Sequence, residues 1–399
     1  MLIALMDCNN FFVSCELTRR PELRGLPVVV GGRGDNGGCV VAMSNEAKAI
    51  GVTRGIPIFK IRDRIERNEI VSLPTDHRFY SSISMRVMNV LRSLDIPIEI
   101  YSVDEAFIHI PFCGDNATDF CRYIRETVLQ QTGIPVSIGI ATTKTLAKIA
   151  ARFAKKFKGY NGVCLMDSPN KTAKALTLTK VSDVWGIGRR LVTRLTQSGI
   201  LTAADFAALP LDRVERIYNI QIVHTWKELN GEPCFDMESH QRKHLTVSHT
   251  RTFERDIFDR SEIESRIAEY AVNIGSQLRK HHRLAAEIEV FVATNPYHKE
   301  APQRHGSGRI VLSDPSDDTI LLAKVASQAF AIAYKEGYGY KRAGVIVRRA
   351  IDADRVQQSL FADKAADERR RRLMNTLDSL NSSDNKVMLA STTRPRKEQ

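Results

Sequence analysis

A chain of 399 residues is too long for one ordinary domain and implies roughly two to four. Its composition, 43% hydrophobic and 26% charged, excludes a disordered chain. The net charge of +12 points to a polyanionic partner, with nucleic acid first and an anionic membrane surface second. A basic protein with no such partner is the remaining alternative.

The apolar start, MLIALM, stops at Asp7. That is too short for a secretory core or a membrane span, so Leu2–Met6 reads as a buried strand ending in an acid. The cysteines at 8, 15, 39, 113, 121, 164 and 234 form no C-x-x-C pair, which fits buried free thiols in a reducing cytoplasm. Two β-branched runs, Pro27–Gly31 and Cys39–Met43, are joined by GGRGDNGG, whose Asp-Asn-Gly core is turn chemistry. The order G-x-x-x-x-G-K-[ST] is absent there, which argues against a phosphate-cradling P-loop.

Asn45–Ile50 predicts a short helix and His77–Ser93 a longer one. Ile98–Val103 and Ala106–Ile110 read as strands around Asp104 and Glu105. Phe120–Gln131 is helical, and strand Val136–Ile140 feeds a helix from Lys144 to about Lys156. This alternation is that of an α/β or α+β layer. Helices with Gly- or Pro-marked breaks follow from Ser168 to Pro233, then a polar linker at Asp236–Lys243. Strands Leu245–Phe253, Ala286–Thr294, Gly308–Leu312 and Arg342–Arg349, with helices Glu262–Lys280 and Asp318–Glu336, give a β-α-β-β-α-β order like the ferredoxin-like split unit. The polar tail carries one amphipathic segment, Asp367–Leu380, with Leu373, Leu377 and Leu380 as its apolar stripe.

A charged pair inside YSVDEAFIHI is costly to bury unless it is paired or binds a cation. Asp7, Asp104 and Glu105, from neighbouring strands, could hold two hard cations for phosphoryl transfer. Adjacent strand residues face opposite ways, so Asp104 and Glu105 share a site only across a bulge or turn. The alternative is a hairpin capped beside an Arg or Lys. On the helix after Val136–Ile140, Lys144, Lys148, Arg152 and Lys155 share one face. No acid occurs from Ile134 through Met166 to pair with them. A solvated basic face is one explanation, and a triphosphate or DNA backbone is the other.

MDCNNFF, YSVDEAF and IGIATTKTLAKIAARFAKK together resemble the palm motifs of Y-family DNA polymerases. VWGIGRR, ELNGEPC and QQSLF bring the likeness to the UmuC branch, over residues 1 to about 380. The resemblance implies an α+β multidomain right hand for translesion synthesis without proofreading, in an SOS-type response to DNA damage. Its palm would be ferredoxin-like (1–23 and 76–165) and its fingers small (24–75). A helical thumb with a helix-hairpin-helix (166–235), a linker (236–243), a ferredoxin-like little finger (244–351) and a tail (352–399) would follow. It also implies Asp7, Asp104, Glu105 and the carbonyl of Cys8 as ligands of two Mg²⁺ ions, with Mn²⁺ as a substitute. Phe12 would be the steric gate against ribonucleotides, with Phe11 beside it or in the core. Val41 would be the roof over the base pair, and Asn45, Lys48 and Lys155 the grip on the dNTP triphosphate.

Gly186 and Gly188 form a Gly-x-Gly turn whose amides could approach a phosphate, with Arg189 and Arg190 next to it. A plain interhelical turn is the alternative. Arg251 is the candidate phosphate contact of the little finger. In the tail, Gln357, Ser359, Leu360 and Phe361 resemble the peptide that docks in a sliding clamp, against a local hydrophobic tuck. The resemblance further implies primer-template DNA, a processed UmuD-like dimer and a RecA filament as partners, no membrane, and a cytoplasmic, nucleoid-associated location. Another two-metal palm enzyme, such as a nucleotide cyclase, and a non-catalytic DNA-binding scaffold are the competing functions.

Overall fold

In the computed structural model, which describes residues 2–32, 38–237, 246–298, 300–355 and 364–381, the apolar start forms β1 (Leu2–Cys8). Asn10, left-handed at φ 47°, turns the chain at once into α1 (Phe11–Arg19), an element not anticipated from the sequence. A three-stranded sheet follows, made of β2 (Val28–Gly31), β3 (Val40–Met43) and, after α2 (Asn45–Ala49) and α3 (Arg62–Glu66), β4 (Val71–Pro74). Its order is β3-β2-β4, over a small core that includes Val29, Val40, Ile61 and Ile70.

The chain then runs through α4 (His77–Arg92), β5 (Ile98–Ile100), β6 (Glu105–Ile110), α5 (Gly114–Thr132), β7 (Val136–Ala141), α6 (Lys144–Lys156) and β8 (Val163–Leu165). These strands and β1 make a five-stranded sheet of order β5-β6-β1-β7-β8, with β1 antiparallel to both neighbours. Leu2, Ala4 and Met6 share one core with α4 and α5, whereas Ile3 and Leu5 share another with α6. Burial on both faces is why the run is continuously apolar rather than alternating. Gly139 in β7 brings α6 close: a Cβ there would meet the backbone nitrogen of Ala151 at 1.9 Å.

Helices α7 (Pro169–Leu178), α8 (Arg189–Gln197), α9 (Ala203–Ala207), α10 (Leu211–Ile217) and α11 (Ile220–Leu229) complete the first unit, residues 1–241. The ELNGEPC segment is tied to α6 by Glu228. Its buried carboxylate accepts the N–H groups of Thr145 (2.8 Å), Cys234 (3.1 Å) and Phe235 (3.2 Å). A carboxylate on the first turn of α6 also suits the positive end of that helix dipole. Among the cysteines, Cys8, Cys15, Cys121 and Cys164 are buried as expected, but Cys39 and Cys113 are exposed and Cys234 is half-buried.

The second unit, residues 242–399, contains β9 (Val247–Ile257), α12 (Arg260–Lys280), β10 (Arg283–Thr294), β11 (His305–Ser316), α13 (Thr319–Ala333) and β12 (Tyr340–Asp352). The β-α-β-β-α-β order is the one read from the sequence. Its antiparallel sheet runs β11-β10-β12-β9, so the second and fourth strands are central, where a ferredoxin-like sheet has its first and third. Helices α12 and α13 share one core with it.

A last helix, α14 (Lys364–Asn381), docks through Met374, 1% exposed, and through the Asp378 carboxylate on the Arg279 guanidinium at 2.6 and 2.8 Å. Leu373 and Leu380 of the expected stripe are exposed instead. Arg279 holds the Asp378 carboxyl below its usual range, so the contact persists at neutral pH and is lost only as pH falls through that lowered value. Asp378→Asn is expected to weaken docking by about 1 kcal/mol, with roughly fivefold faster amide exchange in α14. Unchanged exchange would show that the Arg279 pair does not hold the helix. Among the described residues no helix is long and apolar enough to cross a membrane.

Candidate active site

Asp7 near the end of β1 lies directly opposite Glu105, the first residue of β6. Asp104 occupies the turn that precedes it. There the Tyr101 and Ser102 N–H groups donate to the Glu105 carbonyl at 3.1 Å, and the Ser102 hydroxyl donates to the Asp104 carboxylate at 2.6 Å. The Glu105 N–H returns a bond to Ser102 Oγ at 3.0 Å. The Asp104 carbonyl accepts the Cys8 N–H at 2.9 Å, which stitches the turn to β1. The turn that two adjacent carboxylates require is therefore present, and strand β5 ends at Ile100, earlier than expected. The Cys8 thiol is buried in the core, where burial and then Asp104 and Asp7 push its pKa up.

Helix α6 brings its basic face to these acids. Lys155 Nζ lies 2.5 Å from Asp7 Oδ1, and Lys148 Nζ lies 3.1 Å from both Glu105 oxygens. Lys148 also stands over the Tyr101 ring at 4.3 Å and the Trp185 ring at 5.4 Å. The stripe has no acid in its own window, as read from the sequence, yet each cation is paired: Lys144 meets Glu99 at 2.5 Å and Arg152 meets Asp183 at 2.7 Å. Each partner comes from outside the 134–166 window.

Burial raises the Glu105 carboxyl above its usual pKa, with Asp7 and Asp104 adding to the shift and Lys148 opposing it. Two carboxylates facing each other across paired strands and a third in the adjoining turn are the hard oxygen donors that Mg²⁺ takes. Among the described residues no three acidic, His or Cys side chains already converge as a metal cluster. The Lys155 and Lys148 ammonium groups sit against Asp7 and Glu105. The donor set fits divalent cations by its chemistry, and fixed carboxylate geometry is not what recommends it.

A second polar group adjoins Asp7. Lys48 Nζ donates to Asn10 Oδ1 at 2.5 Å and to Asn45 Oδ1 at 3.4 Å, while Asn10 Nδ2 donates to Asn45 Oδ1 at 3.1 Å. Burial and then the charge of Lys155 lower the Lys48 pKa, opposed by Asp7, so the two lysines and Asp7 share one neighbourhood. Phe12 is half-buried and stacks on Tyr80 with centroids 4.5 Å apart. Phe11 is 4% exposed and belongs to the core, and Val41 on β3 is half-buried against it.

Elsewhere in the first unit, Gly186, at φ 88°, passes so near Thr225 that a Cβ would meet its hydroxyl at 2.8 Å. Gly188 precedes α8, and Arg189 and Arg190 are exposed on its first turn. They line a cavity of about 630 Å³ together with Arg194, Tyr218 and Asn219. In the second unit Arg251 is exposed on β9. Gln357, Ser359, Leu360 and Phe361 lie outside the described residues, as does most of the expected linker. Asn10 and Ser102 were missed from the sequence. Asn10's signal is that asparagine tolerates the left-handed turn, and Ser102's is its place two residues before the acid pair.

A family model described as impB/mucB/samB matches residues 6–152, and its C-terminal domain model matches residues 244–360. The protein UmuC of Salmonella typhimurium is 36% identical over 97% of this chain and 92% of its own length. The protein ImpB of the same organism is 33% identical over 96% and 91%. Among solved structures, a Y-family DNA polymerase chimera of Dbh and Dpo4 superposes with a TM-score of 0.73 at 22% identity, covering 88% of this chain and 100% of that one, which bears on the fold. The chain belongs to the impB/mucB/samB family, the UmuC-like branch of the Y-family DNA polymerases, which carry out error-prone translesion synthesis in the bacterial SOS response.

Proposed function

We propose that the chain extends primers across damaged template by two-metal nucleotidyl transfer, with Asp7, Asp104, Glu105 and the Cys8 carbonyl as ligands of two Mg²⁺ ions, for which Mn²⁺ would substitute. The observation that carries this is the cross-strand pairing of Asp7 with Glu105 beside the Asp104 turn, with Lys155 and Lys148 set against them. When bound, the ions supply Lewis-acid stabilisation of the attacking and leaving oxygens. A primer 3′-hydroxyl attacks the α-phosphate of a dNTP in line, and pyrophosphate leaves.

With Asp7 engaged as a metal ligand, Lys155 would be free to contact the triphosphate. Lys48, held by Asn10 and Asn45, adds a second positive charge there. Val41 covers the nascent base pair, and Phe12 lies under the sugar with Phe11 beside it. In this reading residues 1–23 and 76–165 are the palm and 24–75 the fingers. Residues 166–235 are the thumb, 236–243 the linker, 244–351 the little finger and 352–399 the tail.

Gly186, Gly188, Arg189 and Arg190 grip duplex phosphates, and Arg251 does so from the little finger. Replacing Arg189 and Arg190 together by alanine should weaken binding of every duplex sequence alike and lower the log–log salt slope by about 2. A slope unchanged from wild type would leave the turn a plain helix connection. Family membership supports a sliding clamp, bound through Gln357, Ser359, Leu360 and Phe361, and a processed UmuD-like dimer and RecA filament as further partners.

The decisive experiment is primer extension on undamaged and abasic templates with Mg²⁺ and dNTPs, with and without clamp and accessory subunits. Extension past the lesion is the expected result. Failure of the wild type under every combination would leave a DNA-binding scaffold.

A further inference from the structure

Helix α1 carries two side chains one turn apart that meet the same residue of α4. The Phe12 ring stacks on Tyr80 at 4.5 Å and an interplanar angle of 18°, while Glu16 Oε1 accepts the Tyr80 hydroxyl at 2.7 Å. Tyr80 is 1% exposed and Glu16 3%. The other Glu16 oxygen takes Arg20 at 3.3 Å. Farther along the same helix pair, Arg19 reaches Asp76, the N-cap of α4, at 3.2 Å and lies over the Phe79 ring at 3.2 Å. His77 closes the edge of the Phe12 ring at 5.7 Å.

A buried carboxylate is costly unless its partners need it. If Tyr80 only filled the core, phenylalanine would serve, and Glu16 would keep only its exposed-side partner Arg20. The pair makes sense when the position of the Tyr80 ring matters. Burial and the bond to Glu16 push the Tyr80 phenol pKa up, so it stays a donor throughout the working pH range. A ring can exclude a ribose 2′-hydroxyl only if it cannot retreat, and Phe12 has Tyr80 at its back.

We infer that Tyr80, anchored by Glu16, is a positioning residue for sugar discrimination, fixing the Phe12 ring so that it cannot yield to a 2′-hydroxyl. This rests on the assignment of Phe12 as the gate. Tyr80 and Glu16 are both buried, so they would act through the Phe12 ring.

The test is the ratio of kcat/KM for a ribonucleotide to that for the matching deoxynucleotide, measured for the full chain with its clamp and accessory subunits. Tyr80→Leu should raise the ratio about fivefold, on the order of what a stacked aromatic pair contributes. Tyr80→Phe, which keeps the ring and loses the anchor, should raise it about twofold. Should Tyr80→Leu fail to fold, Tyr80→Phe with Glu16→Leu carries the test. Adding Tyr80→Leu to Phe12→Ala should leave the ratio where Phe12→Ala alone puts it, since a support has no effect once the gate is gone. Wild-type ratios in the Tyr80 variants, beside a raised ratio in Phe12→Ala, would overturn this inference alone. An unchanged ratio in Phe12→Ala itself would remove the gate and the inference with it.

Discussion

Primer extension by Asp104→Ala is expected to fall at least about a thousandfold in kcat/KM, because a lost metal ligand removes several kcal/mol of charge stabilisation at the reacting phosphate. The fold should survive. Asp104 is half-buried, and its tie to β1 is made by its main-chain carbonyl, which alanine keeps. Ser102→Ala, which removes the hydroxyl that orients the carboxylate and accepts the Glu105 N–H but keeps the acid, should cost far less, about tenfold. The comparison is made by single-turnover extension at saturating Mg²⁺, with thermal unfolding to verify the variants. Wild-type extension by Asp104→Ala would remove it from the metal ligands. A loss in Ser102→Ala equal to that in Asp104→Ala would instead mean that the turn, and not the carboxylate, is what matters.

Ribonucleotide use by Phe12→Ala should rise on the order of a hundredfold relative to deoxynucleotide use, since a steric clash discriminates only while the clashing group is present. The stack on Tyr80 would be lost with it, at a cost to stability of about 1–2 kcal/mol for a half-buried ring. Deoxynucleotide incorporation should change little, because the deoxyribose makes no clash to relieve. Measuring both sugars under the same conditions separates a gate from a general defect. Equal losses for both would assign Phe12 to packing, and an unchanged ratio would move the gate elsewhere.

Much of this protein is legible in the chain itself. The strand ending at Asp7, the SVDEAF hairpin, the helix beginning at Lys144 and the β-α-β-β-α-β order of the second unit follow from apolar periodicity and turn chemistry, which act over a few residues. Helix α1 escaped because it has nine residues, no side-chain cap at its start and buried positions at Phe11, Val13, Ser14, Cys15 and Glu16 that trace no clear stripe.

The pairing of the acids was beyond local pattern. Lys155 meets Asp7 across 148 residues and Lys148 meets Glu105 across 43, so a basic stripe with no acid in its own window is matched in full by other segments. Of the two accounts of the hairpin acids, the structure shows the lysine-paired one, and the cation site is what we propose. The order of strands in the second sheet, the capping of α6 by Glu228 and the Glu16–Tyr80 support of Phe12 likewise depend on how helices and strands stack. The sequence by itself determined which residues carry charge and about where most of the longer elements lie, because those are set by short-range chemistry. Only the tertiary structure decided which charges neutralise one another and which ring stands behind Phe12, because such contacts form only when the core brings distant segments together.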